Sequence, residues 1–306
     1  MVNDLLPSGA MVALATPVGT DGRPDRQGLA RLVQHVTAGG VAGISPCGST
    51  GEGARLTSSQ RLDVTRQVLQ EAPDLPVLPG ITVGALPDAH RELAALADLG
   101  VKAALVAPPS YFPLTDSELE TLYLGLADES PVPLVLYNIP MFTRIPLPVA
   151  VVARLAGHGN IVGLKDSSRD LEYFQNLLET VRRSEPDGTF RMYTGTDTML
   201  VASALAGGDG TIAASANLVP RLGARILELV ASDLGQAIEL QQHLSRIVAA
   251  CRKGSPPAGW KAALSLTGIC SPALVAPAST LPLHLTERLQ RDLEELGVLT
   301  RAEPAR

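Results

Sequence analysis

Eight short apolar runs recur along the first two thirds of the chain, and they constrain its fold more than any other feature. Each run has the length of one β-strand and is followed by a longer stretch of different pattern. The runs are MVALATP from residue 11, VAGISPC from 41, PVLPGIT from 76, KAALVAPP from 102, PLVLYNIP from 133, IVGLKDSS from 161, FRMYTGT from 190 and DGTIAAS from 209. They predict eight strands.

The stretches between these runs have apolar residues at three- and four-residue spacing, which is typical of amphipathic helices. Clear cases are residues 25–40, 57–72 and 116–129. Several begin with Asp, Ser or Thr as a candidate N-cap, and Gly39 and Gly40 end the first one. A strand followed by a helix, repeated eight times, predicts a (β/α)8 TIM barrel. A doubly wound open sheet is the alternative fold.

The chain beyond residue 231 shows no further strand pattern. Three helical stretches follow, at residues 235–253, 257–269 and 285–299, and Pro-rich segments connect them. We therefore predict a barrel with the catalytic site over residues 1–231 and a C-terminal helical region over residues 232–306.

The composition narrows the class of protein. The 306 residues are 45% hydrophobic and 18% charged, with a formal net charge of −6, which suits a globular protein and argues against a nucleic-acid partner. No apolar run has the length of a membrane-spanning helix, and the first ten residues lack the pattern of a signal peptide. We expect a cytoplasmic protein that binds neither membranes nor nucleic acid.

The cysteines and histidines indicate no local metal site. Cys47, Cys251 and Cys270 are odd in number and far apart, which fits neither a disulfide framework nor a CxxC motif. The five histidines never fall at ligand spacing within a helix or hairpin. A site assembled across the fold would not show in this pattern.

Lys165 ends the sixth run, at a place where a barrel carries its functional groups. The carboxyl ends of barrel strands surround the mouth, whereas the interior is packed. Strand alternation places Val135 and Tyr137 on one face of the fifth run. It groups Ile161, Gly163 and Lys165 on one face of the sixth. If these faces point inward, Tyr137 and Lys165 share one pocket, with Gly163 leaving room below.

A lysine at this position suggests nucleophilic chemistry. The chain has only four lysines against 21 arginines, so a strand-end lysine is more informative than usual. Burial in an apolar pocket favours the neutral form of an amine, which is the nucleophile that forms a Schiff base with a ketone. The alternative is a lysine at the rim, paired with a carboxylate.

The loop CGSTGEGARL, residues 47–56, follows the second run directly. Its backbone N–H groups and the hydroxyls of Ser49 and Thr50 could hold an anion such as a carboxylate or a phosphate. It lacks the Gly-Lys-Ser/Thr ending of a nucleotide-binding P-loop. The alternative is a tight strand-to-helix turn.

Three motifs in this order and spacing resemble the dihydrodipicolinate synthase and N-acetylneuraminate lyase superfamily. They are GSTGE after strand two, YNIP at the end of strand five and GLKDSS at the end of strand six. The resemblance runs from about residue 8 to about residue 295 and includes KAALSLTGI in the C-terminal region. Members of this superfamily are class I pyruvate-dependent aldolases on a TIM barrel.

The resemblance implies a role for each matching residue. Lys165 would form a Schiff base with the keto carbon of pyruvate or another 2-oxo acid. Ser49 and Thr50 would hold the pyruvate carboxylate, and Tyr137 would relay a proton as general acid and base. Tyr111, in the loop after strand four, would match a tyrosine that can reach across a subunit interface. Simple interface packing is its alternative role.

The resemblance also implies the partners of the reaction. Members act on pyruvate or another 2-oxo acid together with an aldehyde. They use no metal and no organic cofactor, because the covalent Schiff base itself is the electron sink. They are usually homotetramers, built as dimers of dimers, and we expect the same assembly here.

Substrate choice lies in a few variable positions, and here the chain departs from its relatives. Dihydrodipicolinate synthases have an arginine at the position of Phe142, where it binds the carboxylate of the incoming semialdehyde. Arg144 could replace it from a different point of the loop. Phe142 and its neighbour Met141 would suit a less polar aldehyde, or they only pack the loop.

Gly195 and Asp197, in GTDTM after the seventh run, are further candidates for binding the acceptor. Neuraminate lyases have additional polar partners for a glycerol tail in this region, so sialic acid is not the expected substrate. Asp197 could instead be the N-cap of the next helix. In the earlier loop we expect Cys47 to be a small buried thiol and Glu52 to bond loop N–H groups.

The sequence therefore predicts a Schiff-base aldolase or lyase that cleaves or condenses a 2-oxo acid with an aldehyde of open identity. A 4-hydroxy-tetrahydrodipicolinate synthase of lysine biosynthesis, a 2-oxo-sugar-acid dehydratase and a hydratase-aldolase are alternatives with the same chemistry. A barrel that senses a small molecule is the non-enzymatic alternative.

Overall fold

The computed structural model describes residues 6–184 and 189–300, and eight parallel strands form one sheet within them. The strands are β1 (Gly9–Ala13), β2 (Gly43–Ser45), β3 (Gly80–Thr82), β4 (Ala104–Ala107), β5 (Leu134–Asn138), β6 (Ile161–Asp166), β7 (Arg191–Thr194) and β8 (Gly210–Ala213). Each lies inside or at the edge of a predicted run. The first five of the ten residues that lack a signal-peptide pattern lie outside the described part.

Hydrogen bonds close the sheet into a barrel. The strand order is β2-β1-β8-β7-β6-β5-β4-β3. The segment before β3 completes the circle, because Ile44 of β2 donates to the Pro76 carbonyl at 2.9 Å and accepts from the Leu78 N–H at 2.8 Å. The predicted (β/α)8 TIM barrel is confirmed, and the open-sheet alternative is wrong.

Nine α-helices are described between and after the strands, up to residue 230. They are α1 (Arg26–Ala38), α2 (Ser58–Glu71), α3 (Leu86–Asp98), α4 (Asp116–Glu129), the one-turn α5 (Pro140–Thr143), α6 (Val149–Ala156), α7 (Leu171–Ser184), α8 (Leu200–Leu205) and α9 (Pro220–Val230). Short 3-10 helices follow β2, β7 and β8, at Gly53–Arg55, Asp197–Met199 and Ser215–Asn217.

Side-chain caps explain where several helices begin. The Asp25 carboxylate accepts from the Gln27 N–H at 3.0 Å, one residue before α1. Thr57 and Thr115 each form a reciprocal capping box with the third residue of α2 and α4. These contacts satisfy N–H groups that have no partner inside the helix. The caps predicted at Asp25 and Thr57 agree with the structure, whereas Thr115, and not Asp116, caps α4.

The two faces of the strands pack differently, and β6 departs from simple alternation. Val135 and Tyr137 lie in the cluster inside the barrel, whereas Ile161 packs with the residues that face the helices. The predicted grouping of Ile161 with Gly163 and Lys165 is therefore wrong. A bulge causes this, because the register with β5 jumps by one residue between Leu134 and Val135.

Gly163 has a different purpose from the one predicted. A Cβ at Gly163 would lie 2.6 Å from the carbonyl oxygen of Arg191 on β7. The glycine therefore permits close approach of the neighbouring strand at the bulge, and it does not serve to leave room below the lysine.

Three helices follow the barrel: α10 (Leu234–Cys251), α11 (Ala258–Leu266) and α12 (Leu283–Glu295). Their apolar residues join the cluster that also packs α1, α2 and α9. None of the helices described in residues 6–184 and 189–300 combines the length and apolar character that crossing a bilayer requires. The last six residues of the predicted helical region lie outside the described part.

Candidate active site

Lys165 and Tyr137 lie side by side at the carboxyl ends of β6 and β5. The strand register pairs them directly, and the Nζ atom of Lys165 is 4.5 Å from the centroid of the Tyr137 ring. Their residues are only 3% and 5% exposed. Lys165 forms no salt bridge within the described residues, so the geometry differs from a rim lysine paired with a carboxylate.

A glycine makes room for the amine on the other side. A Cβ at Gly195, just after β7, would overlap the Ser167 hydroxyl and lie 2.8 Å from Cε of Lys165. The Gly195 N–H also donates to the carbonyl of Asp166 at 2.5 Å, which holds the end of β6 against this loop. No larger residue fits at position 195 without moving Lys165.

The loop after β2 places a hydroxyl against the phenol. The Ser49 Oγ atom and the Tyr137 hydroxyl are 3.0 Å apart, and either can donate. The N–H groups of Ser49 and Thr50 donate to no acceptor within the described residues, although the backbone N–H of Glu52 donates to the Ser49 carbonyl at 3.2 Å. Two backbone donors and two hydroxyls are therefore available beside Tyr137, which suits a carboxylate.

Backbone packing gives this loop its shape. Cys47 and Glu52 both have a positive φ, of 59° and 56°. A Cβ at Gly53 would overlap the carbonyl of Cys47, so the chain turns back on itself with no space for a side chain. Cys47 is buried, and burial raises the pKa of its thiol to about 12, as expected for a buried thiol.

Glu52 has partners that the sequence did not reveal. Its carboxylate accepts from Lys261 Nζ of α11 at 3.1 Å and from the Val275 N–H at 3.0 Å, and both charged side chains are fully buried. Lys261 also donates to the Thr16 carbonyl at 2.5 Å. Burial lowers the pKa of Lys261, and the negative charge of Glu52 opposes this shift.

These contacts correct the expectation that Glu52 bonds N–H groups of its own loop. The ion pair instead ties the loop to the C-terminal helices. Glu52 and Lys261 are 209 residues apart, and no local pattern connects them. Lys261 stands in the KAALSLTGI segment, whose resemblance to the superfamily was the only signal for it.

The buried carboxylate of Asp166 helps to hold the ends of β5 and β6 together. Asp166 accepts from the side-chain amide of Asn138 at 2.7 Å and from the Ser168 hydroxyl at 2.8 Å. The pKa of Asp166 is raised because burial disfavours its charge, although these hydrogen bonds act in the opposite direction. The pair Asn138–Asp166 joins β5 and β6 one residue beyond Tyr137 and Lys165.

The cavity over Lys165 has a volume of about 120 Å³ and brings together most of the predicted site residues. Its walls include Ser49, Thr50, Tyr137, Met141, Phe142, Lys165, Gly195 and Asp197. Ser167, Arg169, Arg252 and Trp260 are further lining residues that the sequence did not indicate. A second cavity of about 210 Å³ adjoins it and shares Ser49, Tyr137 and Phe142.

Three predicted residues behave differently from a simple pocket lining. Tyr111 is 88% exposed, packs edge-to-face on Phe112 and does not reach the cavity within one chain. Arg144 is exposed, has a φ of 63° and lies outside the cavity wall, whereas Phe142 lines it. Asp197 lines the cavity too, but its carboxylate accepts from the Ser215 N–H at 2.7 Å and does not cap the helix that follows it.

The described part of the chain contains neither a disulfide nor a cluster of metal ligands. The three cysteines are free and buried. Within residues 6–184 and 189–300, no group of three or more His, Cys, Asp or Glu side chains is arranged to hold a metal ion.

A buried amine beside a phenol, at the carboxyl ends of adjacent barrel strands, suits a lyase of the aldolase type. Comparison with known proteins narrows this class. The family model described as the dihydrodipicolinate synthetase family matches residues 6–296, and the chain belongs to that family.

Individual relatives agree with this assignment. A 4-hydroxy-tetrahydrodipicolinate synthase from Methanosarcina barkeri is 33% identical over 292 residues, which cover 95% of this chain and 99% of the relative. YagE, a prophage protein of the dihydrodipicolinic acid synthase family from E. coli K12, was solved with pyruvate; it is 27% identical with a TM-score of 0.91, over 96% of this chain and 100% of that one. The dihydrodipicolinate synthase from Acinetobacter baumannii, also complexed with pyruvate, is 28% identical with the same TM-score and the same coverage.

Proposed function

We propose that the protein is a class I pyruvate-dependent aldolase that works through a Schiff base on Lys165. The observation that carries this proposal is the position of the Lys165 amine, buried and 4.5 Å from the ring centroid of Tyr137, whose hydroxyl meets Ser49. Family membership supports the reaction class, and two similar structures were solved with pyruvate.

The first step joins Lys165 to the 2-oxo acid. The neutral amine attacks the keto carbon, and the carbonyl oxygen leaves as water after taking up protons. The product is a protonated imine, which withdraws electrons from the adjacent carbon and lets it lose a proton or a carbon substituent. The substrate itself thus provides the electron sink, and no metal or organic cofactor is needed.

The neighbouring residues orient the substrate and move protons. The free N–H groups and hydroxyls of Ser49 and Thr50 hold the carboxylate next to the imine. Tyr137 lines the cavity beside Lys165, so its phenol can exchange a proton with the substrate oxygen, and Ser49 holds the phenol through a 3.0 Å hydrogen bond. Gly195 keeps the amine in place, and Phe142 and Asp197 line the space for the aldehyde.

A 4-hydroxy-tetrahydrodipicolinate synthase is the second candidate, because the relatives from Methanosarcina have that name. In this reading the acceptor would be a semialdehyde with a carboxylate. Phe142 occupies the place of the arginine expected in such enzymes, and Arg144 lies outside the cavity. The specific aldehyde therefore has to come from other residues of the cavity.

We also propose a cytoplasmic homotetramer, as the family resemblance implies. Tyr111 and Phe112 are 88% and 72% exposed, which supports a role for this aromatic pair between subunits. Tyr111 would then enter the site of a partner subunit or pack at the interface.

Trapping with borohydride tests the Schiff base. Incubation with pyruvate and borohydride should add the mass of one reduced pyruvate to the wild type, because reduction fixes the imine as a stable amine. Lys165→Ala should show no adduct, whereas Lys102→Ala, which removes an exposed lysine, should react like the wild type. An adduct that persists in folded Lys165→Ala would overturn the proposal.

A further inference from the structure

Two exposed arginines line the active-site cavity, and neither has a hydrogen-bond or salt-bridge partner for its guanidinium in the described part of the chain. Arg169 lies in the loop after β6 and has a φ of 67°, and Arg252 directly follows α10. Both line the same cavity as Lys165. Within residues 6–184 and 189–300, neither guanidinium forms a salt bridge or a hydrogen bond. In the same residues most other arginines do have such partners, for example Arg154 with Glu120, although exposed ones such as Arg144 and Arg246 have none.

The charges that face the cavity are predominantly positive. Arg169 and Arg252 contribute cations, and Asp197 is the one carboxylate among the lining residues that the structure describes. The whole chain has a formal net charge of −6, so the positive charge in the cavity is opposite in sign to the net charge of the protein. A cavity of this kind attracts anions.

The two arginines also oppose each other. The pKa of Arg252 is lowered, first because partial burial of this exposed residue disfavours its charge and then because Arg169 repels it, while Asp197 acts in the opposite direction. Asp197 does not resolve this conflict, since its carboxylate accepts the Ser215 N–H and makes no salt bridge with either arginine. An anion bound between the guanidiniums would relieve the repulsion.

We propose that Arg169 and Arg252 form a subsite for a second anionic group, a carboxylate or a phosphate, at the far end of the substrate. This inference rests on the proposed function, in which the Ser49–Thr50 loop holds the carboxylate next to the imine. Guanidinium groups bind such anions through two parallel N–H donors, with high geometric specificity. Phe142 and Met141 line the cavity as well, and they pack along the apolar stem between the two charged ends.

Binding of matched 2-oxo acids tests the subsite. 2-Oxoadipate and 2-oxohexanoate differ only in the terminal carboxylate, and calorimetry gives the Kd of each. The wild type should bind 2-oxoadipate about 10- to 100-fold more tightly, as expected for charged hydrogen bonds, and this ratio should fall with added salt. The variant Arg169→Gln/Arg252→Gln should lose the preference and keep its affinity for 2-oxohexanoate.

Two control variants separate this subsite from other charge effects. Arg246→Gln removes the same charge from an exposed position of α10 outside the cavity and should leave the preference intact. Arg144→Gln should also leave it intact; if that variant abolishes the preference instead, the subsite belongs to Arg144 and the proposal is wrong. A preference for 2-oxoadipate that persists in the variant Arg169→Gln/Arg252→Gln would also contradict the proposal.

The source of the anion and the dependence on the Schiff base are tested separately. A phosphate arm compares the condensation of pyruvate with glyceraldehyde 3-phosphate and with glyceraldehyde. The carboxylate arm is the comparison of 2-oxoadipate with 2-oxohexanoate. An arginine-dependent preference in only one arm names the anion, and none in either arm refutes the subsite. Borohydride adducts with pyruvate should form normally in the double variant. If neither the wild type nor the double variant forms an adduct, the Schiff base is refuted. The calorimetric comparison would still test the subsite in that case.

Discussion

The Lys165 side chain occupies space that is free because residue 195 is a glycine. A Cβ at this position would overlap the Ser167 hydroxyl and press on Cε of Lys165. The amine has no free volume on this side, and the Tyr137 ring lies against it. The position of the reactive amine therefore depends on the absence of a Cβ at residue 195 as well as on Lys165 itself.

Gly195→Ala should therefore displace the amine without unfolding the barrel. A misplacement of about 1 Å can cost about 100-fold in rate, so pyruvate trapping should slow by about that factor. Gly125→Ala is the matched control, because position 125 on α4 has open space around it, and its trapping rate should equal that of the wild type. Equal rates in Gly195→Ala and the wild type would show that the amine is not confined by this contact.

The sequence revealed some residues of the site and not others, for a physical reason. Lys165 and Tyr137 end consecutive strands, and consecutive parallel strands are neighbours in a barrel, so their proximity was predictable. Arg169, four residues after Lys165, follows a strand end where the pattern could have indicated it, whereas Arg252 and Lys261 come from C-terminal segments far away in sequence. Nothing in local periodicity encodes such distant contacts.

At the scale of elements, β5 and β6 carry the two central side chains, and Asn138 and Asp166 fasten their ends. Strand patterns and caps predicted nearly every element, because apolar spacing and Asp or Thr at helix starts act locally. The bulge in β6 could not be predicted, since it depends on how β5 pairs with it. It shifted Ile161 to the outer face and left Lys165 inside.

The pH dependence of stability should report the buried carboxylate between these strands. Because the pKa of Asp166 is raised in the folded state, the folded protein binds the proton more tightly than the unfolded chain. Its stabilising effect is complete below the ordinary pKa of Asp, about 3.9, and is lost as the pH rises through the raised pKa.

Asp166→Asn removes this effect. The free energy of unfolding of the wild type minus that of Asp166→Asn, from urea titrations, should decrease as the pH rises across this window and be level outside it. An increase with pH would mean that the pKa of Asp166 is lowered in the folded protein.

At the scale of the whole molecule, the buried pair Glu52–Lys261 connects the loop after β2 to α11. The C-terminal helices share one hydrophobic cluster with α1, α2 and α9, so they support the barrel on the side of this loop. The division into regions at residue 231 stays a prediction. Removing Lys261 leaves the buried Glu52 carboxylate with Arg55, partly exposed and 3.2 Å away, as its remaining cation in the described part of the chain. Loss of one partner from a buried ion pair is strongly destabilising.

Lys261→Met should therefore destabilise the fold by about 3–5 kcal/mol, as measured by urea unfolding. Lys253→Met is the control, because Lys253 pairs with Asp292 closer to the surface, and such pairs contribute about 0–1 kcal/mol. The double variant Lys261→Met/Glu52→Gln should recover part of the loss. Equal stabilities for Lys261→Met and Lys253→Met would contradict the structural role of the buried pair.

A crystal structure of the protein soaked with pyruvate tests the central claim most directly. The account predicts continuous electron density between Nζ of Lys165 and C2 of pyruvate, with the carboxylate within hydrogen-bond distance of Ser49 and Thr50 and the Tyr137 hydroxyl beside the reacting carbon. Pyruvate bound elsewhere, or bound in this cavity with an unmodified Lys165, would contradict it.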